Sequence, residues 1–223
     1  MISRLRGPWR VITTAFTVAL AAPWPSALAA GVHLLDPPAA SATILSPSGQ
    51  RDLDPDLQQA LRSAPTAAQW PNHHYVKLLD LGNVTVRSDG TVIATYRETF
   101  KLFDPLARDL AEVRLPPFNS SYQNFHVVSA RTIKKDGTVI DVKRADMREG
   151  GVAADYLMYD DARIINFSMP GIEDDCVIDY SYEEVTHPML LPGQFTTYWG
   201  FNDTYPIMMS RYVVHMPTDK PAS

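Results

Sequence analysis

Hydrophobic and polar residues alternate with a period of two over most of the chain from His74 onward. This period places successive side chains on opposite faces of an extended strand, and the runs are rich in β-branched and aromatic residues. The pattern predicts strands at Tyr75–Leu79, Asn83–Arg87, Thr91–Phe103, Asn124–Lys134, Val139–Lys143, Arg163–Ser168, Cys176–Val185, Phe195–Phe201 and Ile207–Met216. Many short strands, separated by turns that contain Pro and Gly, favour an all-β fold. We therefore expect an antiparallel two-sheet β-sandwich over residues 67–217.

The pentapeptide Asp-Gly-Thr-Val-Ile occurs twice, at Asp89–Ile93 and at Asp136–Ile140. Asp-Gly between alternating apolar residues is a strong hairpin signal, because glycine accepts the positive φ that tight turns require. Each copy therefore predicts a reversal between two adjacent strands. Neither aspartate has a base or a set of metal ligands beside it in the sequence, so the repeat indicates architecture and no chemistry.

The N-terminus has the pattern of an export signal. Arginine residues precede a short apolar run, Val11–Ala22, and Ala27-Leu28-Ala29 is a small-x-small cleavage site. The apolar run is shorter than the ~20 residues that span a bilayer, so a transmembrane anchor is the less favoured alternative. We predict a signal peptide over residues 1–29, cleavage after Ala29, and a periplasmic or secreted protein with no stable membrane anchor.

Residues 30–66 form a predicted lead-in that is rich in Ala, Ser and Pro and contains one short helix at about 55–63. Asp54 can cap this helix, Pro55 suits its first turn, and Leu57 and Leu61 lie one turn apart. At the other end, residues 218–223 have the composition of a linker.

Charge and cysteine content exclude several classes of function. The whole chain has 20 Lys and Arg against 25 Asp and Glu, and removal of the three signal-peptide arginines leaves 17 − 25 = −8. This balance disfavours nucleic-acid binding, which depends on basic clusters. One cysteine, Cys176, allows neither an intramolecular disulfide nor a thiolate zinc site, and no cofactor motif is found in the sequence.

Several ordered segments carry a family resemblance. They are Ala67–Asn72, Val84–Ile93, Tyr96–Leu102, Ala130–Ile140, Tyr159–Arg163, Phe167–Gly171, Val177–Tyr180 and Phe195–Phe201, followed by Pro206 and Ser210-Arg211. From about Gln69 to Pro221 the chain resembles the domain of unknown function found N-terminal to the transglutaminase-like domain in bacterial secreted proteins. Asp175 departs from the family pattern, which often has Gly at this turn.

The resemblance implies a context and no reaction. In the longer relatives a papain-like transglutaminase domain follows, and its catalytic Cys, His and Asp have no matching positions in this sequence. The resemblance therefore implies an exported, non-catalytic module that interacts with or positions such a domain, and it assigns no catalytic residue here.

Cys176 is the one candidate nucleophile. A catalytic thiol needs a neighbouring base, and His187 lies beyond the end of the predicted strand. Glu173, Asp174 and Asp175 would raise the pKa of the thiol, so we favour a packed structural cysteine. A small enzyme built around Cys176 is the less favoured alternative.

Metal sites are not predicted. His73 and His74 are adjacent and would point to opposite faces of a strand. The acidic groups Asp160-Asp161, Glu173–Asp175 and Glu183-Glu184 could hold a hard cation, but they match no calcium loop and are more typical of turn caps and sheet edges.

The run Phe195–Phe201 gives the best binding hypothesis. Phe195, Thr197, Trp199 and Phe201 would share one strand face, with Tyr198 opposite. Tyr198, Trp199 and Phe201 are therefore candidate ligand-binding residues that could stack on sugar rings or on a partner domain. The alternative is that these aromatics fill the core. The expected partners are a following transglutaminase-like domain or a cell-envelope glycan or protein, and a stand-alone glycan- or peptide-binding module is the alternative function.

Overall fold

The computed structural model of the protein describes residues 53–151, 161–188 and 195–218. The described residues contain the α-helix α1 (Pro55–Arg62) and three 3₁₀ helices, Ala67–Gln69, Pro105–Ala111 and Arg144–Asp146. They also contain the strands β1 (Tyr75–Val86), β2 (Val92–Leu102), β3 (Glu112–Arg114), β4 (Phe118–Asn119), β5 (Gln123–Ile133), β6 (Val139–Asp141), β7 (Arg148–Gly151), β8 (Ala162–Ser168), β9 (Val177–Thr186) and β10 (Ser210–His215). The predicted signal peptide, residues 30–52 of the lead-in, and Asp160 lie outside the described residues.

The strands form two sheets. The larger has the order β10-β1-β2-β9-β5-β6, and the smaller has the order β3-β8-β4 with β7 also paired to β8. All the pairs are antiparallel except β1 with β10, which is parallel. The prediction of a wholly antiparallel fold is therefore wrong at this pair. Because β9 and β10 run in the same direction, the chain has to cross back along the sheet before β10 begins.

Both predicted hairpins are confirmed. Gly90 and Gly137 have φ values of 89° and 86°, in the region that favours glycine. In each loop the aspartate before the glycine accepts a hydrogen bond from a threonine N–H, at 2.8 Å for Asp89 and 2.9 Å for Asp136. The pentapeptide repeat is thus the same turn built twice.

One continuous strand, β1, replaces the two predicted strands Tyr75–Leu79 and Asn83–Arg87. Its pairing with β2 shifts register between Lys77 and Leu79, which marks a β-bulge at Leu78. The bulge allows Leu78 and Leu79 to be buried in the same cluster, although they are adjacent. It also leaves Lys77 and Asp80 together on the opposite face of the sheet.

Hydrophobic clusters lie on both faces of the larger sheet. On one face α1 inserts Leu57, which is fully buried, against Leu78, Leu79 and Ile133. Asp54 caps α1, as predicted, by accepting a hydrogen bond from the Leu57 N–H at 3.1 Å.

The cluster on the other face contains side chains from both sheets. Phe100 and Ile178 come from the larger sheet, and Val113, Ile165 and Phe167 come from the smaller one. Its members are buried, so this shared cluster is where the two sheets are packed together.

A buried ion network lies beneath α1. Asp179 is fully buried and accepts hydrogen bonds from Arg97 Nε at 2.8 Å, Arg131 Nε at 2.9 Å and Thr99 Oγ1 at 2.7 Å. Arg97 Nη1 also lies 2.8 Å from Asp54 Oδ2. The helix cap and the sheet are therefore joined by the same pair of arginines.

Three predictions of secondary structure need correction. Residues 195–200 form no strand, and the predicted strand Ile207–Met216 is reduced to β10 plus an isolated bridge between Lys77 and Ile207. The strands β3, β4 and β7 were not predicted, because two to four residues give too few alternations to be recognised. The 3₁₀ helix Pro105–Ala111 was not predicted either. In the part of the chain that the structure describes, no helix is long and apolar enough to cross a membrane.

Candidate functional site

Trp199 lies on the face of the larger sheet, over Gly82 of β1. Its ring stacks against Tyr212 of β10, with centroids 4.7 Å apart, and against Tyr96 of β2, with centroids 6.2 Å apart. A Cβ added to Gly82 would lie 2.5 Å from Tyr212 Cδ2 and 2.8 Å from Trp199 Cζ3. The missing side chain at Gly82 therefore provides the space in which Trp199 sits.

The stacked rings continue across the sheet beyond Tyr96. The distance between ring centroids is 5.2 Å for Tyr96 and Tyr182, 5.9 Å for Tyr182 and Phe125, and 4.6 Å for Phe125 and Phe118. Burial raises the pKa of Tyr96 and Tyr182, so both phenols stay protonated at neutral pH. Trp199, near one end of this aromatic row, holds its own part of the chain against the sheet.

The three candidate binding residues differ in exposure. Trp199 is half-buried, and its ring stacks with those of Tyr96 and Tyr212. Tyr198 is 90% exposed and Phe201 is 55% exposed. The single strand face predicted for Phe195, Thr197, Trp199 and Phe201 does not exist, because this segment is irregular.

The two remaining residues of that predicted face have separate contacts. Phe195 packs beside Val84 and Ala94 in a small hydrophobic cluster. The Thr197 hydroxyl hydrogen-bonds to the Tyr212 hydroxyl. Both contacts are made from an irregular segment that lies on the sheet and does not pair with it.

A buried lysine lies next to Trp199. Lys77 Nζ is 3.0 Å from Asp80 Oδ1 and 2.9 Å from Glu98 Oε2, and it lies 5.0 Å from the centroid of the Phe100 ring. Burial lowers the pKa of Lys77, but Glu98 and Asp80 more than offset this, and the net effect is a pKa above the usual value. Lys77 is therefore a fixed cation and not a base.

Hydrogen bonds connect this ion cluster to the tryptophan. Trp199 Nε1–H donates to Ser210 Oγ at 2.9 Å, and Ser210 Oγ–H donates to Asp80 Oδ2 at 3.2 Å. Ser210 is the first residue of β10, so this chain of bonds fixes both Trp199 and the start of the edge strand.

A pocket opens between these groups. It is lined by Lys77, Asp80, Tyr198, Trp199, Gly200, Asp203 and Ile207. Asp203 is exposed and accepts a hydrogen bond from the Thr204 N–H at 2.7 Å. The pKa of Tyr205 is raised first by the burial of Tyr205 itself and next by its hydrogen bond to Asp203. None of these lining residues is paired as a nucleophile with a base.

Cys176 lies far from His187. It is fully buried immediately before β9, whereas His187 follows the other end of β9 and lies 3.2 Å from the Asn124 amide. Burial raises the pKa of the Cys176 thiol, and the negative charges of Glu173 and Asp174 raise it further. The cysteine is a packed core residue, as predicted.

His74 and the acidic residues Glu173 and Asp175 have polar partners. His74 Nδ1 lies 2.7 Å from Asp104, and Glu173 lies 2.9 Å from Lys134. Asp175 lies 2.8 Å from Lys101 and has a φ of 66°, which agrees with a turn where the family often has Gly. No three His, Cys, Asp or Glu residues within the described ranges are grouped to hold a metal ion.

Exposed apolar side chains are concentrated near the pocket and β10. Of the eight large hydrophobic side chains that are exposed in the described residues, six lie between positions 198 and 214. We call them the docking surface, and they are Tyr198, Phe201, Met208, Met209, Val213 and Val214. β10 is also an edge strand, with no further strand on its outer side in the described ranges.

Comparison with solved structures shows a related fold. A chain from Parabacteroides distasonis ATCC 8503, reported as a "putative protease", superimposes with a TM-score of 0.62 and 20% sequence identity. The match covers 66% of this chain and only 30% of that one. A CBM3a-L domain from scaffoldin cipA of Clostridium thermocellum has 13% identity, covers 51% of this chain and 68% of that one, and has a TM-score of 0.27, which is too low to indicate a shared fold.

Comparison of sequences identifies the family. No curated protein matches the chain. The model of a family described as a domain of unknown function with a solved structure, DUF3857, matches residues 88–223, which include β2 to β10. The match covers more than half of the sequence, and the chain therefore belongs to the DUF3857 family.

Proposed function

We propose that the chain is an exported, non-catalytic β-sandwich module that interacts with or positions a transglutaminase-like catalytic domain following it in a longer protein. The observation that carries this proposal is the docking surface, where six of the eight exposed large hydrophobic side chains lie between positions 198 and 214. Single exposed apolar residues are normal, but a concentration of them near one pocket and one edge strand indicates an interaction site.

The edge strand supports the same conclusion. An open edge presents unpaired backbone N–H and C=O groups, and proteins usually protect such edges with lysine, proline, a bulge or a short strand. β10 has six residues, contains neither lysine nor proline, and shows no register shift against β1. A partner that covers the docking surface would also protect this edge.

The buried ionisable groups support a non-catalytic role. Lys77 is held by two carboxylates, Asp179 is held by two arginines, and Cys176 is fully buried. These groups stabilise the fold and are not available to a substrate. The similar Parabacteroides distasonis chain is more than three times as long as its matched part, as expected for a module within a longer protein.

A pair of matched substitutions tests the proposal. Met208 is 48% exposed within the docking surface, and Leu106 is 72% exposed outside it. In the isolated chain we expect Met208→Glu and Leu106→Glu to change the free energy of unfolding little. In the longer protein, Met208→Glu should weaken the domain contact by about 2 kcal/mol, the scale of burying one methionine, and Leu106→Glu should not.

Three results would contradict the proposal. They are equal effects of the two substitutions in the longer protein, a reading frame after Ser223 that encodes no catalytic domain, and specific hydrolase or acyl-transferase activity of the isolated chain.

A second candidate function is a stand-alone glycan- or peptide-binding module. The observation that favours it is the exposure of Tyr198, at 90%, beside a polar pocket. An affinity screen against cell-wall glycans would show saturable binding that Tyr198→Ala abolishes without unfolding the protein. Trp199→Ala is a poor test, because Trp199 packs between two rings and its removal would disturb the fold.

A further inference from the structure

The pocket beside Trp199 carries an excess of negative charge. Three carboxylates, those of Asp80, Glu98 and Asp203, surround one ammonium group, that of Lys77. Asp80 and Glu98 already bind the lysine, at 3.0 and 2.9 Å. Among the described residues, Asp203 has no lysine or arginine within ion-pair distance. Tyr205 and Thr204 donate hydrogen bonds to its carboxylate, and although burial raises its pKa, these bonds and the charge of Lys77 lower it.

Asp203 lies close to two members of the docking surface. In sequence it lies between Phe201 and Met208, and it lines the same pocket as Tyr198. A partner that covers these apolar side chains would remove the Asp203 carboxylate from water. Burying a carboxylate that has hydrogen-bond donors but no cation at ion-pair distance still costs free energy, and a cation from the partner would offset this cost.

The size of the pocket indicates what kind of cation fits. Its volume is about 170 Å³, below the roughly 300–1,000 Å³ of small-molecule sites and large enough for the end of one side chain. The exposed ring of Tyr198 borders it, and guanidinium groups stack on aromatic faces and bind carboxylates through two parallel hydrogen bonds.

We infer that the pocket receives the guanidinium group of an arginine side chain from the docked partner, paired with Asp203 and stacked on Tyr198. This inference rests on the proposed function, because the pocket shares Tyr198 with the docking surface. An anionic group is disfavoured by the surplus of carboxylates, and an apolar group would leave Asp203 unpaired.

A titration of the intact chain with small probes tests the inference. The probe is N-acetyl-arginine amide, and N-acetyl-citrulline amide is its neutral counterpart of nearly the same shape. The readout is the NMR signal of the Trp199 indole N–H, assigned with Trp199→Phe, because this group is bonded through Ser210 to Asp80 at the pocket. Ionic strength is held constant with NaCl.

We expect saturable shifts with the arginine probe, with a dissociation constant on the order of 10 mM, because one exposed ion pair and one cation–π contact each contribute little. The citrulline probe should bind at least about fivefold more weakly. Asp203→Asn should weaken binding of the arginine probe at least about fivefold as well. Asp109→Asn should not weaken it, because Asp109 is exposed and lies outside the pocket, although the change of charge is equal. Unfolding curves check that both variants fold.

Equal shifts with the two probes, binding that survives Asp203→Asn, or no saturation with the arginine probe would each overturn the inference. These outcomes are separate from the test of the proposed function. Domain contact measured by Met208→Glu can persist although arginine does not bind, and then only the arginine inference fails.

Discussion

Substitution of Gly82 by alanine tests how the candidate site is built. The new Cβ would lie 2.5 Å from Tyr212 Cδ2 and 2.8 Å from Trp199 Cζ3, closer than carbon atoms approach without displacement. The two rings must therefore shift, and the Trp199 stacking with Tyr96 and Tyr212 and its bond to Ser210 are disturbed.

The expected change in the free energy of unfolding can be worked out from these contacts. Two aromatic pairs contribute roughly 0.5–1.5 kcal/mol each, and one hydrogen bond contributes about 1 kcal/mol. Alanine reduces the entropy of the unfolded chain relative to glycine, which offsets about 0.4–1 kcal/mol. We expect Gly82→Ala to lower the free energy of unfolding by about 1–3 kcal/mol.

Urea unfolding measures this change, and the Trp199 indole N–H signal reports whether the ring moves. Gly150→Ala is the matched control, because Gly150 lies in β7, has negative φ, and has no atom within 4 Å of its added Cβ. The control should be neutral or slightly stabilising. A Gly82→Ala protein that is as stable as the wild type, with an unchanged indole signal, would refute the reasoning.

Three further predictions concern the core. Asp179→Ala leaves Arg97 and Arg131 without their buried partner. Urea unfolding should therefore show a free energy of unfolding that is lower by about 3–5 kcal/mol, and a decrease below about 1 kcal/mol would contradict a stabilising role of this ion network. Although burial raises the pKa of Asp54, the bonds from Leu57 and Arg97 lower it below 3.8. The ionised Asp54 carboxylate therefore stabilises the folded protein fully above about pH 3.8, and this contribution is lost as the pH falls through the lowered pKa of the folded state. The difference in the free energy of unfolding between wild type and Asp54→Asn should shrink over that pH range. Cys176 is fully buried, so Ellman's reagent should label it only as the protein unfolds, and fast labelling of the folded protein would contradict this.

Much of the fold could be predicted because its signals are local. Asp89-Gly90 and Asp136-Gly137 specify their turns through short-range bonds, and Asp54 caps α1 through its own first turn. The parallel pairing of β10 could not be predicted, because the direction of a strand depends on a crossover whose path is set by distant contacts.

The candidate site depends on contacts between segments far apart in sequence. Trp199 was named as a candidate binding residue, but its packing against Tyr212 depends on Gly82, more than a hundred residues away, and could not be predicted. Lys77, Asp80 and Glu98 were missed as a cluster. The adjacent leucines Leu78-Leu79 interrupt the alternation and are the sequence signal that would have indicated the bulge.

Contact of positions 198–214 with a following domain would slow amide hydrogen exchange in that part of the chain. Exchange would be measured in the isolated chain and in the longer protein that contains the transglutaminase-like domain. We predict slower exchange in the longer protein at Met208–Val214, which spans the β10 edge, and unchanged exchange in β8, which lies in the other sheet. Equal exchange in both proteins at Met208–Val214 would contradict the account.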